Sequence, residues 1–438
     1  MRKRPAFAID KDVVLPLAGK AAALTALGVA GAYAYGAAKF RRSEQVGFDI
    51  PDPPFPGSPE FARLIEGMTG ATLRPGNRVT VLRNGCRAFP AMLEAIASAR
   101  ETIDFSSYIY WPGAITDQFT DAFAERAEAG VEVNIVLDGY GSAKLDREHV
   151  HRLERSGANV SFFRPPRWYT LHKANNRMHR RLLIVDGKVG FAGGVGIADV
   201  WTGDAQDPEH WRETHARVEG PAVRDILGGF LENWTEATQG VLTAAHFPDP
   251  GAFDEGVDAQ VTRSSPATGR TAVAELLYAA IAGARKRLWL TTAYFTAGSA
   301  FMEALCRAAQ RGVDVRIIVN GSKVDKEVVR DAAQRSYGGL LESGVRIFEY
   351  EQTMLHAKTV VVDDDWADVG SSNFDHRSFA LDSELNLSLF DRRLATELAG
   401  HFLDDLEVCE ELDLERWKRR PLSQRVTEYA GELFRQSF

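Results

Sequence analysis

Cysteine is scarce in this chain. Three thiols, Cys86, Cys306 and Cys409, are scattered through 438 residues. An odd number at such wide spacing makes neither a disulfide framework nor a zinc site. A basic excess is also missing: 52 Lys and Arg stand against 60 Asp and Glu, a net charge of -8. A nucleic-acid binder draws most of its affinity from neutralising phosphates, so this balance counts against nucleic acid as the main partner. No group of acidic side chains is clustered as metal ligands would be, and neither a metal nor another cofactor is called for. What is plentiful is apolar residues, 45%, beside 26% charged, the composition of a globular protein with a sizeable core. The length allows more than one domain.

One stretch departs from soluble composition. Between Lys20 and Lys39 lie 18 uncharged residues, AAALTALGVAGAYAYGAA, preceded by VVLPLAG. That length can span a bilayer, although Ala and Gly make it only moderately apolar. Arg2, Lys3, Arg4, Lys11 and Lys20 precede it, and Lys39, Arg41 and Arg42 follow. The larger basic group in front points to an N-in anchor with the main body outside the cytoplasm. A cleaved signal peptide is one alternative, since Ala32-Tyr33-Ala34 has the small residues of a cleavage site, and a soluble-core helix is another, disfavoured by the nearby terminus and Pro-rich linker. Residues 1–42 are thus read as a membrane anchor with a transmembrane helix. Residues 43–71 are read as a linker, made semi-rigid by Pro51, Pro53, Pro54, Pro56 and Pro59, which suit neither a helix nor a central strand.

From residue 72 the chain says nearly the same thing twice. FPAMLEAIASARETI, DFSSYIY, FTDAFAERAEAGVEV and NIVLDGYG alternate helical and strand patterns. AVAELLYAAIAGARKRL, WLTTAYF, FMEALCRAAQRGVDV and RIIVNGS repeat that order. Each half then has a short helix ending in a glycine turn, RLERSGANVSFF and GLLESGVRIFEY, and reaches a His-containing strand. The fold class is therefore α/β, with two duplicated units over 72–245 and 246–420 packed as a pseudo-two-fold pair. Residues 237–262 connect them. Residues 421–438 follow as a C-terminal amphipathic helix behind Lys418, Arg419 and Arg420.

The repeated motifs carry the chemistry. The second half contains His356-Ala-Lys358-Thr-Val-Val-Val-Asp363 and then Gly370-Ser371-Ser372-Asn373. The first contains His179-Arg180-Arg181-Leu-Leu-Ile-Val-Asp186 and then Gly193-Gly194-Val195-Gly196. On a strand, side chains two apart share a face, so each half presents an imidazole beside a cation. Asp186 opens an Asp-Gly hairpin turn. Fixed cations offset the charge that develops on phosphoryl oxygens. One histidine can attack phosphorus while the other protonates the departing alcohol. A lone histidine on an apolar strand is usually a packed one, and His172, His215 and His401 are read so. Shared spacing and neighbours set His179 and His356 apart.

These segments resemble the paired HxKxxxxD motifs of the phospholipase D superfamily, with the GSxN tail intact in the second copy. GGVGIADVW, HWRETHARVEGPAV, TTAYF, TMLHAKTVVVD and VGSSNFDHRSF resemble the bacterial cardiolipin synthases of that superfamily. The resemblance implies a phosphohistidine intermediate, with His179 as nucleophile and His356 as acid and base. It implies that Arg181, Lys358 and Asn373 hold the phosphate. Glu213 and Glu384 would stand behind the histidines, with Ser371 supporting and Asp186 and Asp363 structural. Two positions depart from the pattern. Arg181 replaces lysine and cannot give up a proton, and Gly196 replaces asparagine, leaving the Gly193-Gly194 N–H groups to compensate. The departures keep open a reading as a binding protein with an impaired first half-site.

A phosphatidyltransferase forming cardiolipin from phosphatidylglycerol or a similar donor is the function the resemblance implies, in a bacterial inner membrane. A phospholipase D releasing phosphatidic acid and a nuclease of the same superfamily are the alternatives. The anchor and the acidic balance speak against the nuclease. The expected partners are a phospholipid substrate and the membrane, and a site complete within one chain makes a monomer sufficient. Tyr108, Trp111, Tyr294 and Phe295 close equivalent strands, where a lipid cleft and ordinary core packing are both open.

Overall fold

The computed structural model describes residues 28, 47–166, 175–265, 271–325 and 327–420. Apart from Gly28, the expected anchor lies outside them, as does the C-terminal helix expected over 421–438. Among the described residues, no helix is long and apolar enough to cross a membrane.

The alternating patterns do build helices and strands, and the strands of both halves join one sheet. The first half contributes β1 (Leu73–Arg83), β2 (Thr102–Ser107), β3 (Glu132–Asp138), β4 (Asn159–Phe163), β5 (Leu182–Val185), β6 (Val189–Gly193) and β7 (Thr214–Glu219). The second contributes β8 (Val257–Ser264), β9 (Arg287–Thr291), β11 (Asp314–Asn320), β12 (Arg346–Tyr350), β13 (Thr359–Val362), β14 (Trp366–Gly370), β16 (Glu384–Phe390) and β17 (Cys409–Glu411). Two short strands, β10 (Phe295–Thr296) and β15 (Phe374–Asp375), pair separately. Outward from the antiparallel β1–β8 junction, one side runs β1-β7-β6-β5-β2-β3-β4. The other runs β8-β16-β14-β13-β9-β11-β12-β17, the same order with one added edge strand. The halves are thus related strand for strand. Both halves lie within one unit that begins at Gly47.

Strand composition follows burial. Parallel strands covered on both faces need apolar or satisfied side chains throughout, and every residue of β2 is buried. The runs LLIV of β5 and TVVV of β13 are buried at all four positions. Three apolar clusters result. One packs the outer face of the first half, around Phe105, Phe119 and Phe191, and one the outer face of the second, around Leu290, Phe301 and Trp366. The third is shared, bringing Leu182, Val218 and Phe230 against Val261, Leu385 and Leu398.

Two expectations are corrected. The stretch read as a tether over 43–71 holds a helix, Pro59–Thr69, that buries Phe61 and Ile65 in the second-half core. Pro59 opens that helix at its first turn, where no N–H is needed, and Ser58 caps Phe61 N. The helix expected through Ile103 stops at Ser98, because Thr102 and Ile103 are taken up by β2.

Candidate active site

Each motif histidine sits just outside the sheet, in the extended segment that leads into β5 or β13, not on a strand as the spacing predicted. A pair of backbone bonds to the opposite half holds each segment. Ser383 N donates to Arg177 O at 2.8 Å, and His179 N donates to Ser383 O at 3.0 Å. In the other copy Arg212 N donates to Met354 O at 3.0 Å, and His356 N donates to Arg212 O at 2.7 Å. The residues that receive these bonds, Ser383 and Arg212, immediately precede Glu384 and Glu213. The crossed backbone pairing therefore carries each glutamate to the other half's histidine.

The carboxylates complete that crossing. His179 Nδ1 lies 2.9 Å from Glu384 Oε1, and His356 Nδ1 pairs with Glu213 Oε2. Neither glutamate is solvent-exposed. Glu213 Oε1 also accepts from Thr214 N at 2.9 Å, and Glu384 Oε2 accepts from the Ser371 hydroxyl. The resemblance implied an acidic residue behind each histidine, but not which one: each comes from the opposite half.

Arg181 reveals the protonation of the first imidazole. Its Nη2 lies 2.9 Å from His179 Nε2, and a guanidinium can only donate. Nε2 therefore accepts, and the ring proton sits on Nδ1, facing Glu384. Burial, and next the Arg181 charge, hold His179 well below its usual pKa, so the ring is neutral. Burial pushes Glu384 up to about 7 and lowers Lys358 to about 8. Glu213 is also raised by burial. Lys358 Nζ donates to His356 O and lies 4.0 Å from Glu213 Oε2.

A cavity of about 730 Å³ opens onto both imidazoles, Arg181 and Asn373. Asn373 is buried, and its Oδ1 has no hydrogen-bond partner among the described residues. Tyr108, Trp111 and Tyr294 line this cavity, whereas Phe295 is core. Two tryptophans not singled out from sequence, Trp201 and Trp211, flank His356 with ring centroids 5.3 and 5.6 Å away. The GIADVW segment contained Trp201, but nothing in its spacing marked it.

Trp201 also gives the reason for Gly196. A Cβ built on Gly196 would lie 3.0 Å from Trp201 Cη2 and Cζ3 and 3.1 Å from Ile109 Cβ. The indole fills the room that an asparagine would use. The expected compensation by Gly194 does not occur, since its N–H donates to Thr214 O at 3.3 Å.

Asp186 and Asp363 lie away from the cavity, at the hairpins that follow β5 and β13. Both have positive φ, 50° and 53°, and Gly187 at 59° completes the Asp-Gly turn. The Asp186 carboxylate accepts from the N–H groups of Arg100, Glu101 and Thr102, and that of Asp363 from Arg285, Lys286 and Arg287. Each aspartate ties its hairpin to the start of the neighbouring strand. Arg180, between the two motif residues, points the other way and is fully buried against Glu232, Asn233 and the carbonyls of Gly229, Ser264 and Glu384.

A duplicated α/β sheet thus brings two histidine–carboxylate pairs, each made across the halves, to one cavity. Residues 92–205 and 277–406 match the family described as cardiolipin synthase, phospholipase D-like domain. The chain is 33% identical over 371 residues to cardiolipin synthase 2 of Bacillus anthracis, covering 84% of this chain and 72% of that protein. It is also 33% identical to cardiolipin synthase of Alkalihalophilus pseudofirmus, covering 81% and 71%. Its fold is similar to that of phosphatidylserine synthase of Haemophilus influenzae, with TM-score 0.64, 13% identity and coverage of 86% and 100%. The chain belongs to the phospholipase D superfamily, among its cardiolipin synthase-like phosphatidyltransferases.

Proposed function

We propose that this enzyme transfers a phosphatidyl group from phosphatidylglycerol, or a similar donor, to a second lipid alcohol, forming cardiolipin. The observation that carries the reading is that the two imidazoles face one cavity, each backed by a buried carboxylate. His179 is the nucleophile, because its Nε2 bears the lone pair and its ring is kept neutral. Phosphate oxygens compete for the Arg181 guanidinium, which frees Nε2 as substrate binds. Nε2 attacks phosphorus, the bond to the headgroup oxygen breaks, and His356 gives that oxygen its proton. His356 then takes the proton of the acceptor hydroxyl, whose oxygen attacks phosphorus and releases His179. Glu213 offsets the charge on His356 whenever the ring is cationic. Arg181, Lys358 and Asn373 balance the charge on the equatorial oxygens. No metal enters these steps. The Trp201, Trp211 and Tyr108 faces suit an acyl-glycerol chain, and a segment before Gly47 would hold the enzyme at the membrane.

Lipid mass spectrometry after incubation with phosphatidylglycerol vesicles tests this. Cardiolipin and free glycerol should form, and a His356→Ala control should give neither. Phosphatidic acid alone would replace the transferase with a hydrolase. A blank across phospholipid donors would remove the lipid assignment.

A further inference from the structure

The segments that carry the histidines are gripped from their own half as well as from the opposite one. β3 ends in Asp138 and β11 in Asn320, and the strand registers make these equivalent: Ser106 pairs with Val136 and Thr291 with Ile318, two residues before each. Both side chains are buried. Asp138 Oδ2 accepts from Met178 N at 2.9 Å, and Asn320 Oδ1 accepts from Leu355 N at 2.7 Å. Met178 and Leu355 are the residues immediately before His179 and His356. Two successive N–H groups are therefore fixed on each segment, one by its own half and one by the other. That fixes the direction in which each histidine side chain leaves the backbone.

The remaining bonds differ in a useful way. Asn320 Nδ2 donates to Ala293 O and Leu355 O, both at 2.8 Å. Asp138 Oδ1 accepts from Tyr140 N at 2.9 Å and Gly141 N at 3.0 Å, with Arg177 Nη1 at 3.4 Å. Tyr140 and Gly141 line the cavity, so Asp138 also ties the cavity wall to the His179 segment.

We propose that Asp138 and Asn320 are the positioning residues of the two histidines, each acting through the N–H that precedes its histidine. The inference rests on the two-histidine reading above. An aryl phosphodiester, bis(p-nitrophenyl) phosphate, keeps it readable if the lipid assignment fails. A misplacement near 1 Å costs about 100-fold in rate, so Asp138→Ala should lose about that in kcat with KM little changed. Asp138→Asn keeps an acceptor for Met178 N but turns its NH2 toward the N–H groups of Tyr140 and Gly141, so it should recover part of kcat. Asn320→Ala displaces the proton donor, so its defect should be large on phosphatidylglycerol. In the first-turnover release of p-nitrophenolate from the aryl ester it should be small, because that leaving group needs no protonation. A merely structural role would slow both esters equally and would not be rescued by Asp138→Asn. Full activity in a folded Asp138→Ala variant, or an Asn320→Ala defect equal on both esters, would overturn the proposal. Should Asp138→Ala not fold, the Asn320 arm decides, since no buried charge is at stake there.

Discussion

Replacing Glu384 by glutamine should make the protein less active and, at alkaline pH, more stable. Glu384 is buried, and burial raises its pKa from 4.5 to about 7. The folded state therefore binds this proton more tightly than the unfolded chain does. Its contribution to stability is fully present below pH 4.5 and is lost as pH rises through about 7. At about 1.4 kcal/mol per pKa unit, the loss across that window is about 3 kcal/mol. Glutamine does not titrate and keeps an oxygen for His179 Nδ1–H and a group for the Ser371 hydroxyl. The stability of Glu384→Gln relative to the native protein should then rise by about 3 kcal/mol between pH 4.5 and pH 8. Urea unfolding at the two pH values measures it. Activity should move the other way. A hydrogen bond to a charged acceptor is worth about 1–2 kcal/mol more than one to a neutral amide, or roughly 5-fold to 30-fold in transfer rate. A relative stability that is flat with pH, or a variant as active as the native enzyme, would refute the reasoning.

Burial lowers Lys358 to about 8, so its charge disappears as pH rises through that value. The alkaline fall in phosphodiester turnover should begin there, and Lys358→Arg, which stays charged, should shift it upward in a pH–rate profile. Gly196→Asn restores the family residue but drives a side chain into Trp201. Overpacking of this kind costs about 1–3 kcal/mol, so a lower melting temperature and no gain in rate are expected. Arg181→Lys should keep most activity, since the cation beside His179 remains, whereas Arg181→Met should lose the transfer reaction in the same lipid assay.

Much of the site was legible because it was written twice. Matched spacing in both halves raised His179 and His356 above the other histidines, and the Asp-Gly dipeptide announced the turn at Asp186. The alternation of helical and strand patterns likewise gave the α/β class. What could not be read was anything set by contact between the halves. Glu213 and Glu384 each lie closer in sequence to the histidine they do not serve, and only the bridges at Ser383 and Arg212 show the exchange. Positions held by backbone bonding, such as Asp138 and Asn320, look like ordinary strand ends in a sequence. The tether was misread because Pro59 was counted as a helix breaker, when at the first turn it opens one. Gly196 looked like a lost donor, because the indole that fills its place is five residues away.

The most direct test of the account is to trap the covalent intermediate. His356→Ala lacks the proton donor, but a phosphatidyl donor with a p-nitrophenol headgroup does not need one. Nucleophilic attack should proceed and the second step should stall for want of a base. Mass spectrometry of the quenched protein, digested under neutral conditions, should find a phosphatidyl adduct on the peptide that contains His179. An unmodified His179 peptide, with p-nitrophenol released at the native rate, would contradict the two-histidine mechanism.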